Sequence, residues 1–419
     1  MRIRIRELTP ILQKKLLAAR VSHDAQAEGV ARRIVDDVRR RGDAAVFSWT
    51  RNFDGPGVNA QTLWTSRKEI RAAARRVSPD FLRAMRQAAR NIRRVAEQQL
   101  PVPWSLTVET GVRIGQILQP IESVGCYIPG GHFSLISTLL MTAIPAQVAE
   151  VPRIVVVCPK PNGELLAVAD FLGIREIARI GGAQAIAALA YGTKSLPRVE
   201  KLCGPGNKYV TAAKQLVSAD CAIDLPAGPT EAVVLAHRGN PAWIAADLLA
   251  QAEHAPDAGS FLVTTSRNLA EKVADEISLQ LRGLAPGNPA HRSIRSGGAI
   301  FIAKSLAGAC DFVNSFAPEH LSLPSGSQSL LQRIRSSGTI FLGPCAAQPL
   351  GDYISGGNHV LPTAGWARRR GGLSAADFVK CVTVQEISPS GFARLADGAE
   401  TFAAAENLRA HYNAVRIRR

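Results

Sequence analysis

Ile154-Val-Val-Val-Cys158, a helical stretch over 162 to 172, Ile177-Ala-Arg-Ile180 and a second helical stretch over 183 to 191 decide the fold. Short apolar runs separated by helical segments, here with a further helix around 134 to 149, are the pattern of parallel strands joined by crossover helices. The same order returns downstream: Ala232 to Ala236, helix 241 to 253, Ser260 to Thr264, helix 267 to 281, Gly298 to Ile302, helix 304 to 314 and Gly338 to Leu342. Two comparable α/β units therefore occupy the middle of the chain. No low-complexity linker and no short-period repeat divides them.

Outward from that core, residues 25 to 100 read as successive helices: Ala25 to Arg41, Ser66 to Val77, and Ser78 to Gln99, where Ser78-Pro79-Asp80 places an N-cap before proline at the first helical position. The chain has 419 residues, beyond the roughly 250 to 300 at which single cores stop growing, so more than one domain is expected. The net charge of +16 is uneven, because residues 1 to 104 hold 22 Lys or Arg against 10 Asp or Glu. The arginines alternate with apolar residues at helical spacing, as on solvated helix faces. Nucleic-acid binding is the sharper reading of the surplus, but no recognition motif accompanies it and aromatics are few.

The opening Met-Arg-Ile-Arg-Ile-Arg carries charge where a signal peptide needs an apolar core, and no run approaches the roughly 18 to 20 apolar residues of a membrane span. A cytoplasmic, non-membrane protein is expected. The seven cysteines are odd in number and scattered without paired spacing, which suits reduced thiols. Cys126 and Cys203 lie inside motifs, but a nucleophilic thiol needs an electropositive setting that sequence does not display.

Four clusters carry the chemistry: Gln251-Ala-Glu-His254, Pro318-Glu319-His320, Asp352 to His359, and Glu406 with His411. Imidazole, carboxylate and amide donors suit a borderline divalent ion such as zinc, whose structural cages instead favour thiolate pairs that this chain lacks. The set reads as catalytic. Asn240-Pro241 opens a helix, and three-residue spacing then puts Gln251 and His254 on one face near its end. The bland alternative for His254 is an imidazole at the helix end interacting with the last carbonyls. Pro318-Glu319-His320 reads as an ordered loop. Gly351 to His359 reads as a glycine-rich turn, with His359 either a substrate contact or a loop imidazole bonded to backbone. Glu406 and His411, five apart, leave one helix at different angles unless it frays.

Eight motifs in order resemble histidinol dehydrogenase, a zinc and NAD dependent family: Gly125 to Gly131, Ile180 to Gly192, Cys203-Gly-Pro-Gly-Asn207, Ile223 to Glu231, Gln251 to His254, Ala317-Pro-Glu-His-Leu321, Gly351 to Thr363 and Ala405 to His411. The resemblance implies two Rossmann-like parallel-sheet domains, one inserted in the other. The implied parts are an N-terminal segment 1–24, a domain of 25–125 plus 232–373 with most of the zinc and catalytic site, an inserted NAD-contacting domain 126–231, and a C-terminal arm 374–419 crossing a homodimer. It also implies zinc held by Gln251, His254, Asp352 and His411, with His320 as general base and Glu319 activating water.

By the same resemblance, Thr230, Gln251, His254, His320, Asp352, His359, Glu406 and His411 contact substrate, and Tyr127, Gln184 and Asn207 contact NAD. That last assignment has no other support, because no G-x-G-x-x-G with a downstream acidic residue is present. Thr230 stands where many members carry serine, keeping the hydroxyl and adding a methyl. The implied reaction is oxidation of L-histidinol to L-histidine. Three rivals stay open: a related zinc dehydrogenase of another polar alcohol such as a sulfonated diol, a metal-dependent hydrolase, and a non-catalytic nucleic-acid binder.

Overall fold

The computed structural model describes residues 3–20, 24–55, 57–130, 135–226 and 228–419; other positions, among them Gly131, Ser134 and Ala227 of the stretches above, lie outside the described residues. The first third runs β1 (Arg4–Glu7), α1 (Pro10–Ala18), α2 (Ala25–Arg41), α3 (Asp43–Asp54), α4 (Arg67–Ala74), α5 (Pro79–Gln99), β2 (Trp104–Glu109) and β3 (Val112–Pro120). The first α/β unit follows as β4 (Ser123–Tyr127), α6 (Ile136–Val148), β5 (Arg153–Val157), α7 (Gly163–Phe171), β6 (Glu176–Ala178), α8 (Gly182–Tyr191), β7 (Lys201–Cys203), α9 (Lys208–Val217) and β8 (Ala222–Ile223).

The second unit is β9 (Glu231–Leu235), α10 (Pro241–Ala252), β10 (Gly259–Thr264), α11 (Arg267–Leu281), α12 (Ala290–Ser296), β11 (Gly298–Ile302), α13 (Leu306–Phe316), β12 (His320–Leu323), α14 (Gln328–Leu331), β13 (Thr339–Leu342) and α15 (Gln348–Tyr353). The chain ends in β14 (Val379–Ile387), α16 (Pro389–Ala405) and α17 (Arg409–Arg416). Among the described residues no helix is long and apolar enough to cross a membrane.

Both α/β units build parallel sheets, one of five strands in the order β6-β5-β4-β7-β8 and one of six in the order β1-β11-β10-β9-β12-β13. Each runs outward from its first long strand and then returns to that strand's other side. The reversal falls between β4 and β7 in one sheet and between β9 and β12 in the other. Such switch points are where an open α/β sheet leaves a crevice.

The helical lead-in, expected to travel with residues 232–373, packs instead on the five-stranded sheet: α2 lies on α8 and α9, α3 on α8, α4 on α7 and α5 on α6. Its apolar stripes explain the choice. Met85, Ala88, Ala89, Ile92 and Ala96 recur at helical spacing along α5, and Ala27, Ala31, Ile34, Val35 and Val38 along α2. The α2 stripe meets the alanine-rich α8, where small side chains let two helices approach closely. Residues 4–7, in the expected N-terminal segment, instead edge the six-stranded sheet beside β11.

The hairpin β2–β3 and the distant β14 form an antiparallel sheet in which β14 pairs with β3 from Val379–Pro120 to Ile387–Val112. β2 is exposed along its whole length and β14 nearly so, with Trp104, Leu106, Val108, Val382, Val384 and Ile387 all open.

Candidate active site

His320 and Thr230 sit at the amino ends of the switch-point strands β12 and β9, His320 in register with Ala232. The cluster therefore lies on the amino-terminal edge of the six-stranded sheet, opposite the edge that open α/β sheets usually employ. α10 runs back against the strands and brings Gln251 to the same edge. His320 opens a strand rather than ending the loop expected at Pro318-Glu319-His320. α13 stops at Ala317 in the left-handed conformation (φ 48°), normally left to glycine and costing a side chain about 1–2 kcal/mol, so backbone strain is stored two residues before Glu319.

Glu319, His320 and Asp352 are all buried. Glu319 Oε2 accepts from the Thr230 hydroxyl at 2.5 Å and from the Glu231 N–H at 3.0 Å. Gln251 Nε2 donates to the Thr230 hydroxyl at 2.8 Å, and Gln348 Nε2 donates to Gln251 Oε1 at 2.6 Å. His320 lies between two carboxylates, Nδ1 3.7 Å from Glu319 Oε2 and Nε2 3.6 Å from Asp352 Oδ1. Both separations exceed a hydrogen bond, and both ring nitrogens are buried without a partner. A buried imidazole with neither nitrogen bonded to protein has both free to meet a ligand.

Burial pushes the Glu319 carboxyl above its ordinary range, more strongly than the His320 ring and the Thr230 hydroxyl lower it. Burial alone would depress His320, but the Glu319 and Asp352 carboxylates overcome it and hold the imidazole above its usual value. For Asp352, burial works upward and the His320 ring outweighs it, leaving the carboxylate low. The charges of the three are coupled, because His320 faces both carboxylates. His254 adds positive potential at Glu319, Asp352 and His359, so it stands within electrostatic reach of all three.

Asp352 rides on α15, a helix where a glycine-rich turn was expected; the turn itself begins only after Tyr353. His359 is half-buried with both nitrogens engaged, Nδ1 2.8 Å from the Asp352 carbonyl and Nε2 3.1 Å from Thr138 Oγ1. Asn358 Nδ2 donates to the Met141 carbonyl at 2.7 Å. Thr138 and Met141 belong to α6, which rises from the carboxyl edge of the five-stranded sheet. The 354–363 loop thus joins the amino edge of one sheet to the carboxyl edge of the other.

That carboxyl edge holds Tyr127, Gln184 and Asn207. The Tyr127 hydroxyl accepts the Gly182 N–H at 3.1 Å and is pushed up to about 12 by burial. Gln184 is fully buried with neither amide atom partnered, and Asn207 caps α9 by accepting from Tyr209 N and Val210 N. A side chain at Gly204 would sit 2.1 Å from the Tyr127 carbonyl, so only glycine lets the backbone turn here (φ 115°). An orphaned amide beside glycine turns at a switch point fits a dinucleotide, even though the usual fingerprint is missing.

Among the described residues no three His, Cys, Asp or Glu side chains converge as a metal cage. Gln251 and Asp352 border the cluster, and His254 is exposed, its Nδ1 3.0 Å from the Ala250 carbonyl. That ring position leaves Nε2 as the donor for a ligand. Asp352 is a buried carboxylate whose nearest cation lies beyond bonding distance, and with an amide and an imidazole it fits a borderline divalent ion. Glu406 and His411 line a separate cleft between α16 and α17, and no hydrogen bond or ion pair among the described residues links them to the cluster. Glu406 caps the end of α16 and His411 lies on α17, because the chain breaks at Asn407 (φ 57°).

Sequence reasoning missed Thr138, Gln348 and Arg20. Gln348 precedes Asp352 by four residues, a helical spacing hidden by the reading of that stretch as a turn. Arg20 Nε donates to Glu231 Oε2 at 3.2 Å while its guanidinium lies over Phe316, 3.7 Å from the ring centre, and it so anchors the residue whose N–H holds Glu319.

The family model described as histidinol dehydrogenase matches residues 17–419. Similar proteins include the histidinol dehydrogenase of Halalkalibacterium halodurans, 47% identical over 395 residues and 92% of both chains. The Escherichia coli K12 histidinol dehydrogenase is 42% identical over 391 residues, 92% of this chain and 89% of the relative. The crystal structure of histidinol dehydrogenase from Elizabethkingia anophelis superposes with a TM-score of 0.93 at 34% identity, covering 100% of this chain and 98% of that one.

Proposed function

The chain belongs to the histidinol dehydrogenase family of oxidoreductases, and from that premise we propose that it oxidises L-histidinol through bound histidinal to L-histidine, the end of histidine biosynthesis. It does so with zinc and NAD, as a cytoplasmic homodimer. The observation that carries this reading is the buried His320 ring, unpartnered at both nitrogens and set between Glu319 and Asp352.

When bound, zinc supplies a fixed anchor for the imidazole and amine of the substrate, and two NAD in succession supply the hydride acceptors. Gln251, His254 and Asp352 would hold the ion from this chain, and His411 from the arm of a second copy. The exposed apolar faces of β2 and β14, and an α17 that buries none of its residues, support an arm that docks on a partner. Glu406 would arrive with it to meet the substrate.

His320 takes the alcohol proton as hydride leaves the adjacent carbon, giving the aldehyde. Glu319, its Oε2 already held by Thr230 and Glu231, orients water through its other oxygen for addition to the aldehyde. His320 then takes a proton from the hydrate as the second hydride leaves, and the product is the carboxylate. Thr230 serves as the hydroxyl between Gln251 and Glu319, so its contact with substrate is shared with these two. His359 lines the same end, where its ring would pack against the substrate while Nε2 keeps its Thr138 contact. Tyr127, Gln184 and Asn207 bind NAD at the β4–β7 crevice.

The test is incubation of the zinc-loaded protein with L-histidinol and NAD. Histidine should form with two reduced cofactors per substrate, and chelation of the metal should stop both. Zinc- and NAD-dependent turnover of a different alcohol, with histidinol inert, would move the substrate assignment to a related dehydrogenase.

A further inference from the structure

Lys214 and Asp224 form an ion pair in the interior of the five-stranded unit, each 3% exposed, and nothing in the proposed reaction uses it. A buried pair of charges is a weak source of stability, because desolvation offsets the attraction and apolar residues of similar volume often serve as well. Two of the remaining hydrogen bonds of this pair converge on one residue. Lys214 Nζ donates to the Gly204 carbonyl at 3.0 Å, and the Gly204 N–H donates to Asp224 Oδ2 at 2.8 Å. Asp224 Oδ1 also accepts the Leu225 N–H at 2.7 Å, which fixes the carboxylate plane.

Gly204 stands at the switch point. It follows β7 directly, turns at positive φ against the Tyr127 carbonyl, and leads through Pro205 and Gly206 to Asn207 at the start of α9. Lys214 lies on α9 and Asp224 just after β8, so one pair ties both segments to a single residue of the β7–α9 loop. We propose that Lys214 and Asp224 are positioning residues for the dinucleotide, gripping both backbone groups of Gly204 so that the 204–207 loop keeps its shape beside Tyr127. This rests on the NAD reading above. The device does the work that a run of fingerprint glycines does elsewhere, fixing the loop with charge-assisted hydrogen bonds.

The alternative is that the pair merely helps the fold. Lys214→Met/Asp224→Leu separates the two, because it removes both charges together and leaves no lone charge inside. Lys214→Met/Asp224→Asn keeps an acceptor for the Gly204 N–H and carries the same comparison if the apolar variant does not fold. NAD affinity is read by calorimetry on zinc-loaded protein, beside zinc content, the unfolding midpoint, and KM for NAD and for histidinol. The apolar variant should keep its midpoint, its zinc and its KM for histidinol, yet bind NAD at least about 10-fold more weakly, the factor of one charge-assisted hydrogen bond. The asparagine variant should fall between. Parental NAD affinity in the apolar variant would overturn the proposal, as would equal weakening of NAD and histidinol binding. A parent protein that fails to bind NAD would overturn the NAD reading and this proposal with it, whereas a parent that binds beside an unaffected variant strikes only the pair.

Discussion

His359 Nε2 meets Thr138 Oγ1 at 3.1 Å, and this contact joins a loop of the six-stranded unit to the first turn of α6 on the five-stranded unit. Because His359 Nδ1 also meets the Asp352 carbonyl, one imidazole spans from the helix that carries a proposed metal ligand to the side of the molecule that carries the proposed cofactor crevice. Hydride transfer needs those two sides in register, since reacting atoms must lie within about 3–3.5 Å.

Thr138→Val removes the hydroxyl at nearly constant shape. It should cost about 1 kcal/mol of stability, the net worth of one hydrogen bond. The larger expected effect is on kcat, a fall of roughly 10-fold or more, with zinc content unchanged, because the bridge sets alignment rather than ligation. Steady-state kinetics beside metal analysis decides it. A variant with parental kcat would show that other contacts, such as Asn358 to Met141, hold the two sides alone.

Asp247 accepts the backbone N–H of Gln348 at the start of α15, and burial lifts its carboxyl to about 6 against that hydrogen bond. The sign follows from proton counts. Between about pH 4 and 6 the folded chain holds this proton more tightly than the unfolded chain, so the contribution to stability rises as pH falls through 6 and is absent at neutral pH. Asp247→Asn keeps an acceptor without the charge. It should therefore raise stability by about 1 kcal/mol at pH 7.5, discounted because the group is only partly buried, and the gain should vanish by about pH 4. Urea unfolding of both proteins across that range gives the difference directly. A gain that grows on acidification would contradict the assignment.

The α/β alternation was legible because buried strands and crossover helices each carry a local signal: the run Arg267–Leu281 is a helix and Gly298–Ile302 a strand over the spans expected. The three-stranded sheet was not, since β2 buries neither face and its apolar residues had no polar alternation tied to a core. β14, which pairs with β3, lies more than 250 residues from it, a separation no local pattern encodes. The cluster of Thr230, Gln251, Glu319, His320 and Asp352 was readable residue by residue from motif wording. Its placement on the amino edge was not, because that depends on which end of α10 and which end of β12 the topology brings together. Gln348 and Thr138 escaped for a related reason: each acts by touching a residue far away in sequence.

His320 and Glu319 should separate by step. His320→Ala should slow oxidation of both histidinol and histidinal by roughly 100 to 10,000-fold, the range of general-base loss. Glu319→Gln should fall harder on histidinal, because the amide still accepts from Thr230 and Glu231 but no longer draws a proton from water. Single-turnover reduction of NAD with each substrate measures the two steps apart. Equal loss on both steps in Glu319→Gln would show that one residue does not serve hydration alone.

The arm makes the last expectation the most decisive. Glu406 and His411 share a cleft between α16 and α17, away from Asp352 and His320, and α17 buries none of its residues in a single chain. A segment this short cannot bury a core of its own, so it must dock. If it docks on a second copy, each active site takes His320 from one chain and His411 from the other. Mixing inactive His320→Ala chains with inactive His411→Ala chains then yields hybrid dimers with one site carrying both lesions and one built wholly from intact residues. Activity should return to about half the parental value per hybrid dimer, and zinc should fill one site in two, as strict sharing of a composite site requires. Verified hybrids that stay inactive would put the arm on its own subunit and take the partner out of the chemistry.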